Sequence, residues 1–111
     1  MQTNERRNSQ RLPLNNIWVR EENGDYLFSF EARDVSEEGI YLKKRAVNPG
    51  QEPFSKFSLT LPGGKALKNL TGRIVWEQRG EGSAVQFLNL SESARIELKK
   101  YVAEQLLKAS A

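Results

Sequence analysis

The sequence contains no cysteine and no histidine among its 111 residues. The lack of cysteine excludes disulfides, thiolate zinc sites, iron–sulfur ligation and thiol nucleophiles. The lack of histidine removes the commonest general base and the commonest metal ligand. Asp25 and Asp34 are the only aspartates that could help to form an oxygen-only Mg²⁺ or Ca²⁺ site. These absences favour a binding module over an enzyme, so we expect no catalytic residues, no metal and no cofactor.

Long apolar runs are absent as well. No run approaches the roughly 20 apolar residues that a helix needs to span a bilayer, and the first residues contain no apolar stretch that would predict a secretory signal. We therefore expect a cytoplasmic protein that does not bind membranes. One domain is expected at this length. The formal net charge is only +3, so the position of the positive charge matters more than its amount.

The positive charge is concentrated in the N-terminal segment, residues 1–13, which is polar and ends at a proline. Its charged residues give it a net charge of +2: Glu5, Arg6, Arg7 and Arg11. Because the segment lacks hydrophobic periodicity, we expect a flexible arm. Residues 14–111 are expected to form the folded domain.

From Ile17 the sequence alternates between apolar and polar residues, which predicts strands. Asn23-Gly24 predicts a tight hairpin turn, and a further turn is expected over Asp34–Gly39. The other predicted strands include Tyr26–Arg33, Ile40–Lys43, Lys56–Leu61, Ala66–Glu77 and Ala84–Leu88. Residues 66–77 could form one long strand or two halves joined near Gly72. Six or seven short antiparallel strands with turn signals between them favour a small barrel or sandwich.

A helix over about 91–107 is predicted to end the chain. Ser91 is a suitable N-cap, and Glu92 lies in the first turn, where a negative charge is favourable. The apolar positions recur at spacings of three and four: Ala94, Leu98, Tyr101, Val102 and Leu106. This helix would cover one open end of the strands.

Two motifs carry chemistry. Arg7 and Arg11 form an R-x-x-x-R spacing, of which about 0.7 would occur by chance in a chain of this composition, so a solvated basic tail is its plain alternative. The segment Asp34–Gly39 has the rarer [D/N]-x-S-x-x-G spacing, with about 0.06 chance matches. Its alternative is a ligand-free turn, in which Ser36 bonds the backbone and Gly39 takes a left-handed angle.

Together and in this order, the two motifs resemble those of the PilZ domain family. The strand Gly72–Trp76, the later strand Gly82–Phe87 and the terminal helix are also similar, and the resemblance extends from about Glu5 to Leu106. It implies an all-β fold with a C-terminal helix: a six-stranded, antiparallel, split-barrel-like PilZ β-barrel. It also implies binding of the bacterial second messenger cyclic di-GMP.

The resemblance implies a role for each motif residue. Arg7 and Arg11 would clamp phosphate and guanine from the arm, since a guanidinium suits both groups. The fixed platform on the barrel would be formed by Asp34, Ser36 and Gly39. Arg6 could stack on an extra guanine and so favour an intercalated ligand dimer, or it could simply be solvated. Trp76 could flank a base or pack at the barrel rim.

These expectations describe a monomeric receptor that passes the signal to an unidentified protein by ordering its arm. One alternative is a protein-interaction module of the same fold without nucleotide binding. Another is a small barrel that binds single-stranded nucleic acid through stacking aromatics: Trp18, Tyr26 and Trp76. Nucleic acid is not the expected partner, because residues 14–90 carry nearly balanced charge rather than a basic groove.

Overall fold

The computed structural model of the protein describes residues 11–45 and 52–110. Seven strands and one helix follow one another along this part of the chain. They are β1 (Leu12–Pro13), β2 (Trp18–Asn23), β3 (Tyr26–Val35), β4 (Gly39–Lys43), β5 (Phe54–Thr60), β6 (Ala66–Gln78), β7 (Gly82–Phe87) and α1 (Glu92–Ser110). The predicted strands and the terminal helix are confirmed, with shifted ends.

Strands β2 to β7 close into a six-stranded antiparallel barrel. Their order is β3-β2-β5-β6-β7-β4, and pairing between β3 and β4 closes the ring. The short strand β1 pairs with β3 outside this ring, with Leu12 opposite Val35 and Pro13 opposite Asp34. The expected barrel is thus confirmed, and the last residues of the predicted arm lie on it. Arg6 and Arg7 fall outside the described residues, so a flexible arm there stays a prediction.

Alternating strand residues fill the barrel with apolar side chains. Val19, Phe57 and Val85 come from three different strands and are almost fully buried, and a single core cluster contains them all. The helix joins the same cluster through Leu98 and Tyr101. Burial raises the pKa of the Tyr101 phenol above its ordinary value, because the phenolate would lose hydration. The helix therefore belongs to the core.

The start of α1 follows the predicted capping pattern. The Ser91 hydroxyl accepts a hydrogen bond from the backbone N–H of Ala94 at 3.1 Å, which satisfies one of the free donors at a helix start. The helix runs to Ser110, three residues beyond the predicted end. Across residues 11–45 and 52–110, no helix has the length and apolarity to cross a membrane.

Two predicted turns are placed differently in the structure. Strand β3 continues through Val35, so Asp34 is a strand residue and the predicted turn over 34–39 is shorter than expected. The first hairpin turns at Gly24-Asp25, because Asn23 still pairs with Tyr26. Gly24 has a φ of +58°, a conformation that glycine adopts without a steric penalty.

A buried ion pair lies inside the barrel among the apolar side chains. Glu21 faces inward from β2, and Arg45 follows β4; their side chains are 0% and 2% exposed. The guanidinium donates to both carboxylate oxygens at 2.7 Å. The Ser55 hydroxyl donates to the same carboxylate at 2.6 Å, and Asn23 donates to Ser55 at 2.7 Å. Strands β2 and β5 and the end of β4 are thereby joined by polar contacts in the interior.

Removing one member of this pair should destabilise the protein strongly. We expect Arg45→Met to lower the free energy of unfolding by about 3–5 kcal/mol, because the Glu21 carboxylate would stay buried without its counter-charge. The double variant Glu21→Met/Arg45→Met should lose less than Arg45→Met alone, since no charge is then left buried. Urea denaturation measures both. A small loss of unfolding free energy in Arg45→Met, or a larger loss in the double variant than in Arg45→Met, would contradict this account.

Candidate functional site

Asp34 lies where three strands meet. It pairs with Pro13 of β1 on one side of β3 and with Tyr41 of β4 on the other. Its side chain is only 12% exposed, and each carboxylate oxygen accepts from a different arginine. Arg11 Nε donates to Oδ1 at 2.7 Å, and Arg33 Nε donates to Oδ2 at 2.8 Å. The two sequence motifs, 23 residues apart, therefore meet in one ion pair.

Ser36 shapes the turn that follows Asp34. Its hydroxyl oxygen accepts hydrogen bonds from the backbone N–H groups of Glu38 at 3.1 Å and Gly39 at 3.3 Å. Its own N–H donates to the Gly39 carbonyl at 2.9 Å. The residue is 1% exposed. The geometry thus matches the ligand-free turn that the motif also allowed, and in this structure the hydroxyl faces the turn.

Gly39 is required by close packing and not by its backbone angle. Its φ lies outside the left-handed region, so the left-handed angle that the ligand-free alternative gave it is wrong. A Cβ at this position would lie 2.1 Å from the carbonyl oxygen of Val85. Only glycine lets β4 approach β7 this closely.

Two side chains that the motifs do not include extend the site. The Arg33 guanidinium lies over the ring of Tyr41, with 3.7 Å from its central carbon to the ring centroid. The Trp76 ring also contacts Tyr41, tilted against it at a centroid distance of 6.3 Å, and the tryptophan is 54% exposed. Trp76 therefore stands at the rim, joined to Asp34 through Tyr41 and Arg33.

The sequence contains only a weak signal for these two residues. Arg33 directly precedes Asp34, but neighbours in a regular strand point to opposite faces. Tyr41 appears as an ordinary core residue of a short strand. Their association depends on the register between β3 and β4, which a local pattern does not reveal.

A groove of about 330 Å³ opens beside Arg11. It is lined by Arg11, Glu38, Gly39, Val75, Ala84, Val85 and Gln86. A larger cavity of about 550 Å³ lies elsewhere, around Trp18, Arg20 and Lys68, and contains no motif residue. The smaller groove is the better candidate, because residues of both motifs line it: Arg11, whose guanidinium can bind an anion, and Gly39.

Comparison with protein families identifies the fold family. The model of the PilZ domain matches residues 5–104. The chain belongs to the PilZ domain family. No curated protein matches the chain significantly.

Solved structures share the fold of this PilZ domain. It is similar to YcgR from Escherichia coli in complex with c-di-GMP, with a TM-score of 0.75 and 15% identity, over 95% of this chain and 48% of that one. It is also similar to PlzA from Borreliella burgdorferi in complex with c-di-GMP, with a TM-score of 0.60 and 11% identity, over 95% of this chain and 55% of that one. This chain spans about half the length of each. At these identities the likeness concerns the fold.

The close approach at Gly39 predicts a sharp effect of an added methyl group. Gly39→Ala should lower the free energy of unfolding by about 1–3 kcal/mol, because β4 must shift away from β7. Gly63→Ala is a suitable control: no atom lies within 4 Å of the added Cβ, although its φ of +102° adds some strain. Urea denaturation compares the two. An equal or smaller loss in Gly39→Ala would show that the contact with Val85 is easily relieved.

Proposed function

We propose that this PilZ domain is a receptor for cyclic di-GMP without enzymatic activity. Arg7 and Arg11 bind phosphate and guanine, and Asp34 accepts hydrogen bonds from a guanine edge. Ligand binding orders the N-terminal arm over the barrel, and the altered surface changes how the domain binds a protein partner. Family membership and the cyclic di-GMP complexes of two structural neighbours support the ligand class.

The contact between Arg11 and Asp34 is the observation that carries this proposal. It joins the end of the arm to the barrel at the groove beside Gly39. Since Arg11 uses Nε for Asp34 and is 44% exposed, its Nη groups can donate to phosphate oxygens or to guanine O6 and N7. An ionised carboxylate only accepts hydrogen bonds, which suits it to the N1–H and N2–H donors of guanine.

Single-stranded nucleic acid is less favoured as a ligand. Stacking along a strand needs aromatic side chains on one continuous surface. Trp18 lines the same cavity as Leu67, which lies at one end of β6, whereas Trp76 lies nine residues further along that strand. At about 3.3 Å per residue, roughly 30 Å of strand separates the two ends. The two tryptophans therefore do not form one platform.

Loss of either partner at the contact should weaken ligand binding. We expect Arg11→Gln and Asp34→Asn each to raise the Kd for cyclic di-GMP about ten- to a hundredfold, because each removes charged hydrogen bonds to the ligand. Arg20→Gln is the matched control, since it removes the same charge from an exposed position on β2. Isothermal titration measures all four proteins.

Absence of binding by the parent at micromolar concentrations would overturn the receptor proposal and favour a protein-interaction module. Equal affinity of the parent and Arg11→Gln would refute the assigned site. Cyclic di-AMP serves as the second ligand, because adenine lacks the donor pattern that Asp34 would accept.

Arg6 should determine how many ligand molecules bind. If its guanidinium stacks on an additional guanine, the parent binds two cyclic di-GMP molecules per chain, and Arg6→Gln binds one. Titration stoichiometry and sedimentation of the complex measure this number. One ligand on the parent, or two on Arg6→Gln, would show that Arg6 does not hold a second molecule.

A further inference from the structure

Arg33 is not part of either motif, yet it makes half of the contact with Asp34. Its Nε donates to Oδ2, while Arg11 occupies Oδ1. One carboxylate thus carries two arginines, one on the end of the arm and one on the barrel. Under the proposed function, Asp34 accepts hydrogen bonds from guanine, so Arg11 has to release Oδ1 and turn to the ligand. What remains on Asp34 at that moment decides whether the carboxylate keeps its position.

A bulge in β3 directs Arg33 towards Asp34. Ala32 pairs with Leu42, and Asp34 pairs with the next residue of β4, Tyr41. Arg33 is therefore one extra residue, without an opposite partner on β4. A bulge increases local twist and redirects side chains. Here it brings the Arg33 side chain to the carboxylate of the next residue, Asp34, which regular alternation would prevent.

Tyr41 holds the Arg33 guanidinium in place from the other side. The central carbon of the guanidinium lies over the ring, 3.7 Å from its centroid, where the cation is attracted to the ring face. The ring itself is fixed, since Tyr41 is 2% exposed and its hydroxyl donates to Gln78 Oε1 at 3.2 Å. Arg33 therefore stays next to Asp34 without any help from the arm.

We propose that Arg33 is a positioning residue of the cyclic di-GMP site, which keeps Asp34 paired and oriented when Arg11 moves to the ligand. A carboxylate that is 12% exposed is costly to leave without a counter-charge. Arg33 supplies that charge, so Asp34 keeps a counter-charge when Arg11 is released. This inference rests on the proposed function, and its test includes an unfolding experiment that needs no ligand.

The first experiment needs no ligand and is a double-mutant cycle measured by unfolding. Because either arginine alone can satisfy the carboxylate, Arg11→Gln and Arg33→Gln should each have a small effect. The double variant should raise the unfolding equilibrium constant about three- to tenfold beyond the product of the two single effects. Effects that simply multiply would overturn the proposal, whatever the ligand does.

The second experiment measures ligand binding and separates a positioning role of Arg33 from a purely structural one. Arg33→Gln should weaken cyclic di-GMP binding about tenfold and reduce the preference over cyclic di-AMP, because a loosened Asp34 no longer selects guanine. Arg33→Lys should recover part of both, and Arg20→Gln should change neither. Equal weakening for both nucleotides would refute the positioning role. If the parent binds neither nucleotide, the proposed function fails. The double-mutant cycle on unfolding still decides whether Arg33 can neutralise Asp34 without Arg11.

Discussion

Closure of the barrel at β3 is the constraint on which the site depends. The first part of this strand, Tyr26 to Glu31, pairs with β2, and its end pairs with both β4 and β1. Asp34 lies at this end, so its backbone is held on both sides before its side chain makes any contact. A carboxylate fixed in this way needs no loop to position it. Rigid strands give a binding group better-defined geometry than a loop does.

Local patterns predict most of the fold and only part of the site. The strands, the Ser91 cap and the turn chemistry at Gly24 follow from alternation, capping and glycine, which act over a few residues. Arg11 and Asp34 could be named from their motifs. Arg33 could not, because its orientation comes from a bulge that depends on the register with β4. The partner of Gly39 could not be named either, since its close approach to Val85 is a long-range contact.

Two of the ion pairs among the described residues, Arg45 with Glu21 and Arg11 with Asp34, differ in a way that fits different roles. Glu21 and Arg45 are almost fully buried and bound through two parallel hydrogen bonds. Breaking such a pair leaves an uncompensated charge in the core, so it remains formed as long as the barrel is folded. Arg11 is 44% exposed in its pair with Asp34. Water can solvate a released guanidinium there, so this pair can exchange partners.

The charge around Asp34 bears on how a carboxylate can serve a ligand with two phosphates. A lone carboxylate would repel such a ligand, and this repulsion would grow in a site that excludes water. In the proposed receptor, Arg33 offsets the charge of Asp34, while Arg11 and the arginines of the arm meet the phosphates. The barrel, residues 14–90, has nearly balanced charge, so in the proposed receptor the arginines near Asp34 and on the arm provide the attraction for the phosphates. In the proposed receptor, a local excess of arginine around one paired carboxylate would combine phosphate attraction with guanine selection.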